Sequence, residues 1–286
     1  MKDLREVAAP PWEEDLLVAA EFHGAVGVWS LAHAARCAEF DTMYDFGGRR
    51  VALVPGEHPV VVVGAYERHG VSGYDLTGER LWQDRSRTNV QIVTALAGGL
   101  VAVSYNRSTT RVLAAATGHE VRSLRGVRRV FALRPDTSLG VGSDWCRLLD
   151  RSLDPLGPRI PVPSAALVSA ASDGDHLVIA EVGGPLRIID SSGRERARLA
   201  DHFRHVVHDP ATDTWVLIHE TSEGQYSLLR LTHDAEVLEQ RPCAPVHDVA
   251  TMRGGRTLAL LTGKEVQLMD CSDWSVQTLD TLTPQG

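Results

Sequence analysis

Two repeat registers run through this chain in step, and together they decide what it can fold into. The first is a turn signal. In Gly73-Tyr74-Asp75-Leu76-Thr77-Gly78-Glu79-Arg80-Leu81-Trp82 an apolar residue precedes an acid, and a Thr-Gly pair follows two residues later. That is the chemistry of a tight hairpin. Aligned on Asp75, the anchors are Ser30, Asp75, Ala115, Asp150, Asp190, Arg230 and Asp270, spaced by 45, 40, 35, 40, 40 and 40 residues. The second register is the start of an apolar segment, at Val7, Val51, Val93, Val130, Val168, Val206 and Val249. Turn signals such as Pro55-Gly56, Gly98-Gly99 and Asp209-Pro210 separate the two. A β-rich run follows each, for example Val60-Val61-Val62-Val63 or Trp215-Val216-Leu217-Ile218.

Each period thus reads as strand A, turn, strand B, loop, strand C, Thr/Ser-Gly turn, strand D. A period of about 40 residues is that of a four-stranded propeller blade. The competing reading is a β-sandwich with chance periodicity, but two registers agree seven times and no segment keeps a helical period. The fold class is therefore all-β: a seven-bladed β-propeller of four-stranded antiparallel blades. It fills residues 1–286 as a single domain, with blades near 4–42, 49–84, 89–124, 127–164, 166–201, 203–243 and 246–282. With aromatics at only 6%, Val, Leu and Ala must fill the space between blades.

The stretch from Tyr74 to Trp82 resembles the repeat of quinoprotein-like propellers, in which a Thr-Gly turn leads to a Trp packed between blades. In length and blade count the chain also resembles WD40-like propellers. The resemblance implies the fold and no cofactor. The positions equivalent to Trp82 are Arg122 and Ala197, the long insertions of quinone-binding members are missing, and there is no Trp-Asp dipeptide.

The four cysteines, Cys37, Cys146, Cys243 and Cys271, lack both a disulfide framework and zinc spacing. No secretory h-region and no apolar run of spanning length occur, so a cytoplasmic location is expected. Two lysines against 27 arginines, with abundant Ala and Gly, point to a bacterial source. Catalytic signatures are missing: no Gly-x-Ser-x-Gly, no His-Glu-x-x-His and no phosphate loop. Acids do end the B strands at Glu21, Glu67, Asp144, Glu181 and Glu220, but at drifting positions, and calcium needs convergent oxygens. His205 and His208 stand three apart in a strand and so face opposite ways. Neither metal nor cofactor is expected.

Charge is uneven. Residues 80–134 hold ten arginines and two acids, a net of +8 in a chain of −8. Such a field can steer an acidic partner. The same repeat position, two before the A-strand valine, holds Arg5, Arg49, Gln91, Arg128, Ala166, Arg204 and His247. A strands are innermost, so these residues should ring one mouth of the channel. The B–C loops reach that face and bring Tyr66, Arg68, Arg107 and Trp145. Aromatics with Arg are the composition of interaction hot spots. The expected function is a non-enzymatic scaffold or regulatory subunit that binds a protein partner, favourably an acidic surface, through Arg49, Arg128, Arg204, His247, Tyr66, Arg68, Arg107 and Trp145. The alternative is a metal-dependent propeller hydrolase or lactonase with its site in the same mouth. Nucleic-acid binding through the Arg-rich sector of blades 2–4 is a third reading, weakened by the overall charge.

Overall fold

The computed structural model describes residues 4–21, 24–42, 50–65, 69–105, 109–162, 165–170, 176–181, 185–190, 192–200, 203–221, 223–263 and 265–279. Seven antiparallel sheets of four strands follow one another along the chain, each in the order A-B-C-D. The seven-bladed propeller expected from the repeats is the fold. The A strands are Leu4–Ala8, Arg50–Val54, Val90–Leu96, Arg129–Arg134, Ala165–Ala170, Phe203–Asp209 and Asp248–Met252. Each contains the valine of its repeat. B strands such as Val60–Gly64 are buried along their whole length, because neighbouring blades cover both faces of the sheet. D strands such as Ala35–Asp41 alternate exposed and half-buried residues, as an outer edge should.

Among the described residues the core divides into seven apolar clusters, and each spans one boundary between adjacent blades. Val, Leu and Ala supply most of them, as the composition requires. The boundary between blades 7 and 1 closes the ring. There Leu17, Ala19 and Trp29 pack against Met252, Leu261 and Leu268. Among the described residues no strand is exchanged between the two sheets. Backbone bonds reinforce the closure: Gly254 N–H donates to Pro11 O at 2.7 Å and Arg253 N–H to Glu13 O at 2.9 Å.

The repeated turn works through its acid. The Asp75 carboxylate accepts from Thr77 N–H (2.9 Å), Thr77 Oγ1 (2.7 Å) and Glu79 N–H (2.9 Å). Those bonds, the Thr77 hydroxyl first, hold Asp75 below the usual carboxylate range even at the surface. Asp190 repeats the pattern with Ser192 and Arg194, and Asp270 with Ser272. In blade 6 the hub is Thr232, whose hydroxyl accepts from Asp234 and Glu236 N–H, so the repeat there lies two residues beyond Arg230. Trp82 follows the blade 2 turn and lies between blades. Its Nε1–H donates to Ala115 O at 2.6 Å, and a Cβ on either Gly73 or Gly118 would collide with its ring.

Gly78 and Gly193 both hold φ near +85°, at +84° and +85°. They differ in space. A Cβ on Gly78 would stand 2.4 Å from Phe40 Cβ in blade 1, whereas on Gly193 the nearest atom is Ile160 Cγ1 at 3.3 Å. Gly78→Val is expected to lower stability by about 2–4 kcal/mol, combining left-handed strain with overpacking. Gly193→Val should cost less. Urea unfolding of the two variants checks this; equal losses would mean that Phe40 moves aside.

Candidate functional site

Among the described residues, six A strands open with the same irregularity. In blades 1, 3, 5 and 6 the register against strand B slips by one, and the extra residue is Arg5, Gln91, Ala166 and Arg204. In blades 4 and 7 two residues likewise oppose one: Arg128 N–H bonds Val141 O while Arg129 pairs with Val141, and His247 N–H bonds Leu261 O while Asp248 pairs with Leu261. A β-bulge adds one residue and re-aims the side chains around it. The repeat position singled out in the sequence is thus the doubled position of a bulge. Arg5, Arg128, Arg204 and His247 are exposed there.

In four blades the residue after this repeat position reaches the adjacent blade. Asp248 Oδ2 of blade 7 accepts Val7 N–H of blade 1 at 2.8 Å. Glu6 Oε1 of blade 1 accepts Val51 N–H of blade 2 at 3.2 Å. Arg50 Nε of blade 2 donates to Gln91 O of blade 3 at 2.7 Å. One turn further along, Thr94 Oγ1 donates to Val130 O at 2.9 Å, linking blades 3 and 4. His205 Nε2 meets Thr251 Oγ1 at 3.0 Å, linking blades 6 and 7. The unpaired inner edge of an A strand offers free N–H and C=O groups. Here side chains of the preceding blade occupy four of them and His205–Thr251 adds a side-chain link, so these contacts hold the innermost strands together.

Burial sets the charge of these groups. It pushes the Glu6 carboxyl up to about 8, with the nearby Asp248 charge adding to the rise, although Arg50 stands 3.8 Å away. Burial also raises Asp248 to about 6. His205 falls to about 4 for the same reason and is neutral at pH 7.

The channel has two chambers. One, of about 420 Å³, opens at the A–B turns and is lined by residues such as Val7, Leu53, Phe131, Leu133, Val207 and Ala250. The other, of about 330 Å³, lies at the A-strand starts and includes Arg204, His247 and Asp248. Phe131, His205 and Val249 line both, where the two meet.

The expected site residues fall as follows. Arg128, Arg204 and His247 lie at the A-strand starts. Arg204 Nε pairs with Glu220 of its own blade, which also accepts from Tyr226 Oη at 3.0 Å. Trp145 opens strand C of blade 4, two strands out from the channel, with the Arg159 guanidinium 4.4 Å from its ring and Arg147 at 5.9 Å. Arg49, Tyr66, Arg68 and Arg107 lie outside the described residues. The Arg-rich sector spreads over several faces: Arg111 is held by Asp84 at 2.5 Å and Glu120 at 2.6 Å, and Arg122 by Asp154 at 2.7 Å. Of the B-strand acids, Glu220 is engaged as above and Asp144 accepts from Ser143 Oγ at 2.8 Å.

One cluster was not legible in the sequence. His208, Asp213 and His233 bring one ligand atom each within 4.8 Å of the others. Asp213 Oδ1 stands 3.1 Å from His208 Nε2 and 3.3 Å from His233 Nε2. The donor set does not suit a cation. Trp215 Nε1–H donates to His233 Nδ1 at 3.1 Å, so the proton of the neutral ring sits on Nε2 and points at Asp213. A metal at Nε2 would have to displace that proton while Nδ1 stays engaged. The His233 bond, with that of His208 behind it, holds Asp213 below the usual carboxylate range. The three residues lie on strand A, the A–B turn and the C–D turn of blade 6, and only the folded sheet brings them together.

No protein-family model matches this chain, and no curated protein does. Its fold is similar to the WD40 repeats of RRP9, with a TM-score of 0.69 and 12% identity over 93% of this chain and 88% of that one. It is also similar to U3-55K, with a TM-score of 0.67 and 13% identity over 93% and 90%. Among the described residues no helix is long and apolar enough to cross a membrane.

Proposed function

We propose that this chain is a non-enzymatic scaffold that binds a protein partner over the channel mouth formed by the A-strand starts. The observation that carries the reading is the recurrent bulge. It doubles the same position in six blades, where Arg5, Arg128, Arg204 and His247 are exposed, and Arg204 and His247 also line the cavity at the A-strand starts. Arg49, Tyr66, Arg68, Arg107 and Trp145 complete the proposed surface. Bulges are built features that re-aim side chains, and a ring of arginines suits carboxylates by bidentate contact. The partner therefore presents an acidic surface. A bacterial host and a cytoplasmic location belong to the same proposal and rest on composition. The WD40-like fold alone assigns no function.

The test is a pulldown from the native host at two salt concentrations. The double variant Arg128→Glu/Arg204→Glu should lose the partner, and wild-type binding should weaken with salt through a slower on-rate. Arg194→Glu, in the outer hairpin of blade 5, is the control and should bind normally. Capture that survives the double variant, or fails only in the control, would move the working surface to the outer rim.

A further inference from the structure

The chamber at the A–B turns is unlike the mouth just described. Its wall is built from Val7, Leu53, Phe131, Leu133, Val207 and Ala250. The polar side chains that reach it are those of Thr94, Thr251, His205, His208 and, at the end of strand A in blade 4, Arg134. Thr94 Oγ1 is bound to Val130 O, His205 to Thr251, and His208 Nε2 to Asp213. His205 is neutral. The opening is edged by Pro10, Pro11, Trp12 and Pro135, and the prolines offer no N–H. Gly255 keeps the opening's backbone close to strand A of blade 6, since a Cβ there would lie 2.1 Å from His208 O.

Filled with water, about 420 Å³ holds on the order of 14 molecules at about 30 Å³ each, and each needs two to four polar partners. The Thr94, Thr251, His205 and His208 side chains are already engaged, so water against the apolar part of the wall is poorly held. Displacing it with an apolar body is favourable. The volume lies within the range of small-molecule sites, about 300–1,000 Å³, and the wall has their composition: mostly apolar, with a few polar groups at defined places. We infer that this chamber is a binding site for a small, mainly apolar molecule, entering from the A–B face. The site opens at the other end of the A strands from the proposed partner surface, and Phe131, His205 and Val249 stand where the two cavities meet.

The probe is N-phenyl-1-naphthylamine, a neutral dye whose emission rises in apolar surroundings, titrated into the full chain. Saturable binding with one site per chain is expected. Phe131→Glu puts a charge in the chamber wall and should weaken binding by at least about tenfold. Phe131→Leu should retain it. Ala9→Phe, which narrows the chamber beside the opening, should also weaken it, and stands in if Phe131→Glu does not fold. Leu238→Asp removes one of the exposed apolar residues of the outer rim and should have no effect. Absence of saturable binding overturns the inference. So does binding that survives both chamber variants in folded protein, or that is lost only in Leu238→Asp.

Discussion

Replacing Arg230 by methionine is expected to cost about 3–5 kcal/mol, among the largest single effects in this protein. Arg230 lies in strand C of blade 6 with 7% of its surface exposed, and Asp209 beneath it has none. Its Nη1 donates to Asp209 Oδ2 at 3.2 Å and to Thr212 Oγ1 at 2.7 Å. Its Nη2 crosses to blade 7 and donates to Cys271 O at 2.6 Å and Ser272 O at 2.9 Å. Methionine keeps the stem and removes every donor. Asp209 is then a buried carboxylate without its cation, and two carbonyls at the 6–7 boundary lose their partner. Neutralising the acid as well, in Asp209→Asn/Arg230→Met, should recover part of the loss, because most of the cost is the stranded charge. Urea unfolding measures both. A single-variant loss below about 1 kcal/mol would place this pair with surface ion pairs, whose worth is small.

The second large effect is a pH dependence. Stability should fall by about 2 kcal/mol between pH 6.5 and 8.5, at about 1.36 kcal/mol per pH unit for one group. The group is Glu6. Its carboxyl is raised to about 8 in the folded chain, from 4.5, and only 15% of its side chain is exposed, so solvent screening removes little. A raised pKa means that the folded state holds the proton longer. Its contribution is complete below the unfolded value and is lost as pH rises through the folded one. Asp248, raised to about 6, acts in the same direction but has mostly titrated by pH 6.5. His205, lowered to about 4, acts in the opposite direction between about 4 and 6.5 and is silent above. Above pH 6.5 the slope therefore belongs to Glu6. Glu6→Gln keeps a carbonyl for Val51 N–H and removes the charge. It should flatten the profile and raise stability at pH 8.5. A slope unchanged in the variant would mean that another group carries it.

The architecture was legible because it is local and repeated. Asp75, Thr77 and Gly78 complete their turn within five residues, and the same few residues recur at Asp190 and Asp270. Short-range hydrogen bonds and positive φ leave a direct mark on residue choice. The position of Arg128, Arg204 and His247 was legible for the same reason, as one place in a repeat. That this place is the doubled residue of a bulge was not, since an extra residue shows only once strand A is laid against strand B. Blade 6 departs from the pattern: Thr232 does with a hydroxyl what Asp75 does with a carboxylate, so the 40-residue spacing falls on Arg230, whose guanidinium is buried against blade 7 instead.

What only the tertiary structure decided are the contacts made by closing the ring. Asp248 reaches Val7 across 241 residues of sequence, and no periodicity relates an acid in the last blade to a backbone N–H in the first. The Glu6–Asp248 neighbourhood, the joining of His208 to His233 and the division of the channel into an apolar and a polar chamber arise in the same way. Each depends on which side chains meet once the sheets stand against one another. A repeat specifies the blade because its turns and strand alternation are satisfied within about 40 residues. The charge and the shape of the channel are set by burial between segments far apart in the chain, and burial exists only after the seventh blade has met the first.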